Sequence, residues 1–205
     1  MAGDKIQSLN FAVREALPAM QDTASENPNA QVLVRAVTFS SGARWHVSTP
    51  TSVADFKWTD VTPGGVTDMG TALALVAEQL KIPPMTDRAL PPVLVLISDG
   101  GATDDFGSGL KALMAEPWGK RAVRIAIAVG RDADHDVLTR FIGTGELKPL
   151  QANNAPDLVK QIRWASTAVL KAASSPASTP AMDAGASNVP IPAVPQGDST
   201  VTDVW

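Results

Sequence analysis

Apolar side chains recur along the chain in two alternating rhythms. Ile6, Leu9, Phe11, Val13, Leu17 and Met20 follow one another at near-helical spacing, which predicts an amphipathic helix over residues 4–23. Pro18 is expected to kink or trim it, because proline removes a backbone donor and clashes with the preceding turn. Residues 31–39 instead carry Val32, Leu33, Val34, Val37 and Phe39 between two turn-forming clusters, Asn27-Pro28-Asn29 and Ser40-Ser41-Gly42, which predicts a strand. A short second strand over 43–47, with Trp45 and Val47, is expected to pair with it through a tight turn. Met69, Leu73, Val76 and Leu80 restore the helical period over 68–80, closed by Pro83-Pro84.

Beyond that point the strands lose their alternation. Residues 92–98 include the unbroken run V-L-V-L-I, the pattern of a strand covered on both faces in a parallel sheet, and 123–129 reads the same way. Helical spacing separates and succeeds them over 104–114, 134–141 and 156–170. The resulting βαβαβα order predicts a Rossmann-like α/β fold: an open, mostly parallel sheet with helices on both faces. Such folds place their sites at the carboxyl ends of the strands, so the loops over 40–42, 62–71, 98–103 and 130–132 are the ones to inspect.

Composition narrows the picture. The chain has 205 residues, 44% hydrophobic and 19% charged, so most of it can bury a core within one domain. The exception is 172–205, where 22 of 34 residues are Ala, Ser, Pro, Thr or Gly. That composition cannot offset the entropy of ordering, so the expected organisation is a folded domain over 1–171 and a disordered Ala/Ser/Pro-rich tail over 172–205. Within the tail, the end over 201–205 reads first as a frayed terminus and, through Val201, Val204 and Trp205, alternatively as a short docking peptide.

Seventeen Lys and Arg against 21 Asp and Glu leave no basic excess for a phosphate backbone, which argues against a nucleic-acid partner. The absence of cysteine removes disulfides and thiolate chemistry, and two histidines do not make a histidine-rich metal site. No apolar run approaches the roughly 18 residues of a membrane helix, and Gln7, Ser8 and Asn10 interrupt any leader-like stretch, so a cytoplasmic chain without a membrane partner is expected.

Two of the loops carry candidate chemistry. Thr62-Pro63-Gly64-Gly65 offers Pro and Gly for the centre of a type II turn, and Val66-Thr67-Asp68-Met69-Gly70-Thr71 behind it opens a helix. Ser98-Asp99-Gly100-Gly101 ends a buried strand. A hydroxyl and a carboxylate on neighbouring loops, Thr67 and Asp99, suit a hard, oxygen-ligated ion such as Mg2+. Each also has a structural use: Thr67 as a helix N-cap and Asp99 as a turn residue. Thr103-Asp104-Asp105 is expected to cap the helix behind it, and Asp132, Asp134 and Asp136 to sit in a solvated loop. His46 and His135 read as surface residues, and the tryptophans as packing.

The string G-G-V-T-D-M-G-T-A-L from Gly64 to Leu73, with V-L-V-L-I-S-D-G from Val93 to Gly100, resembles a von Willebrand factor type A (VWA) domain over roughly residues 1–170. The resemblance implies a metal-ion-dependent adhesion site, MIDAS, with Thr67 and Asp99 as metal ligands and Mg2+ as the ion. It departs from the family in one respect. Family members begin with a central strand ending in D-x-S-x-S, which supplies further ligands, whereas this sequence opens Met1-Ala2-Gly3-Asp4-Lys5-Ile6, similar to the residues just after that motif. The first strand is therefore expected to be missing, leaving an apolar slot between two unpaired strands and an incomplete metal site.

The resemblance implies a non-enzymatic protein-protein interaction module whose ion binds a partner's carboxylate. The opening is similar to the bacterial TerY-like proteins of tellurium-resistance and stress gene clusters, which implies a Ser/Thr kinase and a PP2C-type phosphatase as partners. One alternative is a metal-free VWA scaffold. The other is an α/β hydrolase or phosphotransferase using Asp99, against which stands the lack of G-x-S-x-G, P-loop and strand-linked G-x-G-x-x-G signatures.

Overall fold

The computed structural model describes residues 1, 3–27, 30–143, 145, 147–174 and 189–195. Helix α1 (Asp4–Ser25) leads into the hairpin β1 (Leu33–Ser40) and β2 (Gly42–Ser52), then α2 (Met69–Ala77), β3 (Val93–Ser98), α3 (Phe106–Ala115), the short α4 (Pro117–Arg121), β4 (Val123–Val129), α5 (His135–Ile142), β5 (Leu150–Ala152) and α6 (Ala155–Trp164). A π-helical stretch, Ala165–Val169, and a last turn, α7 (Leu170–Ala173), complete the described elements. This is the expected α/β architecture, with β5 and α4 added to the elements read from the sequence.

β3, β4 and β5 form a parallel sheet in that order, registered Val93 to Val123 and Ile127 to Leu150. β4 is its centre, and its composition shows how the two faces differ. Val123, Ile125, Ile127 and Val129 project into a core shared with Ala12 and Ala16 of α1 and Leu158 and Ile162 of α6. Ala126 and Ala128 face the opposite core, where Met69, Leu73, Leu113, Leu138 and Phe141 supply the bulk. On the first face the large strand residues meet the small Ala12 and Ala16 of α1 as well as the larger Leu158 and Ile162 of α6; on the other, small strand residues meet large helix ones, so both cores fill densely.

Four local expectations are corrected. α1 spans Asp4–Ser25, close to the expected 4–23, and Pro18 does not trim it; its packing through Ala12 and Ala16 holds the helix where proline costs it one hydrogen bond. β2 extends to Ser52, so the hairpin is longer than 43–47 suggested. The left-handed residue in the 62–65 loop is Gly65 (φ 68) rather than Gly64, so the type II turn is not the one used. Gly65 comes so close to Ser41 that a methyl there would stand 2.6 Å from the Ser41 nitrogen. Finally, β3 is not covered throughout: Val95 is 40% exposed, because among the described residues β3 pairs with β4 alone.

β1 and β2 pair antiparallel through Ser40 and Gly42 and form a separate two-stranded sheet. Between β1 and β3 lies a cavity of about 730 Å³ lined by every residue of both strands and by the inner faces of α1 and α2.

Of residues 172–205, the segment 189–195 lies against α6, with Val189 buried and Trp164 Nε1 donating to the Ala193 carbonyl at 3.0 Å. Residues 175–188 and 196–205, including the proposed docking peptide 201–205, lie outside the described residues. Among the described residues no helix is long and apolar enough to cross a membrane.

Candidate functional site

The loops at the carboxyl ends of β1 and β3 are tied together by Asp68, a carboxylate that the sequence pattern does not single out. Asp68 precedes α2, yet its side chain does not cap that helix. Its Oδ2 accepts from Gly42 N at 2.6 Å and its Oδ1 from Thr103 Oγ1 at 3.0 Å, while its own N–H donates to the Ser40 carbonyl at 3.1 Å. Asp68 therefore joins the hairpin to the loop after β3.

The cap of α2 comes instead from Asp104, which accepts from Gly70 N (2.8 Å), Thr71 N (2.7 Å) and Thr71 Oγ1 (2.8 Å). Burial pushes the Asp104 carboxyl upward, but the hydrogen bonds from Gly70 and Thr71 together outweigh it and hold the group below the usual carboxylate value. The sequence pattern has the Thr103-Asp104-Asp105 cluster capping only its own helix. Asp105 does so, accepting from Ser108 N at 2.9 Å, whereas Asp104 reaches across to the neighbouring helix. Spacing carries no sign of this, because an acid before a helix looks the same whichever N-terminus it serves.

Thr67 sits where these ties converge. Its N–H donates to Thr103 Oγ1 at 2.8 Å and its carbonyl accepts from Thr103 N at 2.9 Å, but its hydroxyl makes no hydrogen bond among the described residues. It does not cap α2, whose N-cap position belongs to Asp68. Asp99, at the end of β3, is ion-paired with the Met1 ammonium at 3.1 Å and Lys5 Nζ at 3.8 Å; Lys5 also reaches the exposed Asp132 at 3.8 Å. Thr67 and Asp99 both line the mouth of the cavity between β1 and β3, together with Ser40 and Ser98. Ser98 Oγ is engaged with its own loop through Gly100.

The other candidate polar residues are used structurally. Asp134 caps α5 by accepting from Asp136 N and Val137 N, and Gly101 packs against it. His46 meets the Thr59 carbonyl and the face of Trp58, and His135 meets Gln151. Trp118 is buried; Trp45 carries the Arg35 guanidinium on its face, 3.7 Å from the ring centre.

No family model and no curated protein matches the sequence. Solved structures do match, and they define the fold as that of a VWA domain. A von Willebrand factor type A protein from Catenulispora acidiphila aligns at TM-score 0.58 and 15% identity over 80% of this chain and 38% of its own. Proximal thread matrix protein 1 from the mussel byssus aligns at TM-score 0.57 and 17% identity over 80% of this chain and 43% of its own. A structure of that mussel protein with a zinc-occupied MIDAS motif aligns at TM-score 0.50 and 17% identity, over 78% and 44% of the two chains. The chain spans less than half the length of these neighbours.

A divalent ion does not fit the residues in their present arrangement. Hard cations need oxygen donors with spare lone pairs and negative charge. Among the described residues no group of three acidic or histidine side chains converges, and Asp99 already faces the Lys5 ammonium. Thr67 offers a free hydroxyl but no charge.

Proposed function

We propose that the chain is a non-enzymatic protein-interaction module of VWA type, presenting the carboxyl-end loops around Thr67, Asp99 and Lys5 to an acidic group on a protein partner. The observation that carries this reading is the convergence, at one cavity mouth, of an unengaged hydroxyl and an ion pair. Lys5, shared between Asp99 and the exposed Asp132, can release Asp132 and take a partner's carboxylate in its place. The pairing of Lys5 with Asp99 favours docking without an ion.

The reading from the family pattern has Mg2+ held by Thr67 and Asp99 and bridged to the partner's carboxylate. It requires Lys5 to move away from Asp99 and more oxygen donors to arrive. The partner implied by the TerY-like opening, a Ser/Thr kinase or PP2C-type phosphatase of a stress gene cluster, is the first to test. Pulldown of such a partner with and without chelator separates the two mechanisms. Binding that survives chelation and is lost in Lys5→Ala supports direct docking. Binding that needs Mg2+ and is lost in Thr67→Ala supports the ion. Turnover of a phosphoester or ester substrate that disappears in Asp99→Ala would overturn the module reading altogether.

A further inference from the structure

α1 and α6 leave an open groove of about 590 Å³ between them, and its lining is mostly apolar. Phe11 of α1, 48% exposed, lines it together with Val159 and Trp164 of α6. Lys160 and Arg163 line it as well, against a single acid, Glu15, so the charged part of the lining has a positive excess. Single exposed apolar residues need no explanation, but a contiguous apolar groove with charged side chains around it marks a docking surface.

The chain itself leads into this groove. Val189 belongs to the core shared by α1 and α6, Trp164 Nε1 donates to the Ala193 carbonyl at 3.0 Å, and Pro195 is one of the groove's lining residues. The ten residues that follow, 196–205, lie outside the described residues and read Q-G-D-S-T-V-T-D-V-W. Val201, Val204 and Trp205 are large and apolar, Asp198 and Asp203 are acidic, and none of the ten is basic. That composition is the complement of the groove. On the other side of the seated segment, residues 175–188 offer only Met182 as a large apolar side chain.

Reach and tethering favour the same occupant. The lining from Pro156 to Thr167 extends about 17 Å along the helix axis at 1.5 Å per residue. Val201 is six residues beyond Pro195, which an extended chain spans in about 20 Å, so the apolar residues after it can reach any part of the groove. A short tether from Pro195 gives an effective concentration on the order of millimolar, so a contact too weak to hold a free peptide suffices. A second copy would have to supply from bulk solution what the tether supplies here.

We propose that residues 196–205 dock into the α1–α6 groove of their own chain, Val201, Val204 and Trp205 on its apolar lining and Asp198 and Asp203 toward Lys160 and Arg163. The docked segment extends the interface that 189–195 already makes, and it gives the apolar end over 201–205 its binding site. The loops around Thr67 and Asp99 take no part in it.

The test uses the full chain, whose lack of cysteine lets Thr202→Cys carry a single nitroxide label. Paramagnetic relaxation enhancement is read at the amides of residues 11, 15, 159, 160 and 163, with 123–129 as reference. The expected result is strong enhancement at the groove amides within one chain, and none when labelled chains are mixed with isotope-enriched unlabelled ones. Val204→Ser and Trp205→Ser together should lower the docked-to-free ratio about tenfold or more. Asp203→Lys should weaken docking, more at low salt than at high. Every variant lies outside the elements described above, so the comparison does not depend on a damaged core. Enhancement no greater than in the Val204→Ser, Trp205→Ser protein, enhancement only in the mixed sample, or docking unchanged by Asp203→Lys would each overturn the proposal.

Discussion

α2 and α3 come into backbone contact at Gly70 and Gly109, and this contact can be broken by a single methyl group. A Cβ built on Gly109 would stand 2.5 Å from Gly70 Cα and 2.6 Å from Gly70 C, and closer still to its carbonyl oxygen. A Cβ on Gly70 would stand 2.6 Å from Asp105 C and 2.9 Å from Phe106 N. Ordinary contact begins at 3.4 Å, so Gly109→Ala must part the two backbones by about an ångström. Overpacking costs about 1–3 kcal/mol, and the upper end applies here because the obstructing atoms are backbone and no rotamer can yield. Replacing a helical glycine returns about 1 kcal/mol of that. The net expectation is a loss of about 2 kcal/mol. Gly107, two residues earlier in the same helix, supplies the control: its Cβ would meet only Asp105 Oδ1 at 3.5 Å and Arg140 Nη2 at 3.6 Å. Gly107→Ala should therefore gain about 0.5 kcal/mol from reduced chain entropy. Urea unfolding monitored by the fluorescence of the five tryptophans measures both. A Gly109→Ala protein as stable as the parent, or an equal fall in both variants, would refute the reasoning.

Asp104→Ala removes the cap of α2 and should cost about 1 kcal/mol at neutral pH. Because the folded carboxyl is held below its usual value, its contribution is present above the unfolded value near 3.9 and is lost as pH falls through the folded one. The gap between parent and variant in urea midpoints should therefore close in acid; a gap that widens contradicts the assignment. Trp164→Phe deletes the donor to the Ala193 carbonyl, at about 1 kcal/mol, and should speed proteolysis within 189–195. An unchanged cleavage rate would show that the indole N–H does not hold that segment. Ile127→Ala, at a fully buried position of the central strand, should cost about 2–5 kcal/mol in the same urea assay.

Much of the fold is legible in the sequence because its signals are local. The helical spacing of Ile6, Leu9, Val13 and Leu17 and the unbroken apolar run of β4 survive in the structure within a residue or two. β5 escapes such a reading because three residues, Leu150–Ala152, carry no readable period. β3 reads like β4 in sequence, yet among the described residues only β4 has strands on both sides; an apolar run reports what a strand can bury, not which neighbours it has. The site is less legible for a similar reason. Thr67 and Asp99 stand out because their motifs resemble a known pattern, and both do line one cavity. Asp68 and Asp104 do not, since their side-chain partners are at least 26 and 33 residues away in sequence. Gly107-Ser108-Gly109 looks like a fragment of a nucleotide-binding pattern, and in the structure Gly109 is the close-packing point against Gly70.

Asp68 also decides how independent the hairpin is from the parallel sheet. Among the described residues no ladder bonds join the two sheets, and their carboxyl ends are linked by the Asp68 side-chain bonds to Gly42 and Thr103, the Asp68 N–H to Ser40 and the Thr67–Thr103 pair. Gly42 takes φ 83 at the hairpin tip, which only glycine adopts without strain, and donates its N–H to the carboxylate. Hydrogen bonds to a charged group contribute about 1.5–3 kcal/mol each, less where solvent competes. Asp68→Ala should therefore release the hairpin more than it destabilises the whole. In hydrogen exchange, amides of residues 33–52 should lose protection equivalent to about 2 kcal/mol, while those of 123–129 should still report close to the parent's global stability. If both sets fell equally, the hairpin would be part of the same cooperative unit as the sheet. The cavity between them would then be a gap inside one rigid body, not a space whose width depends on how firmly two sheets are tied at one end.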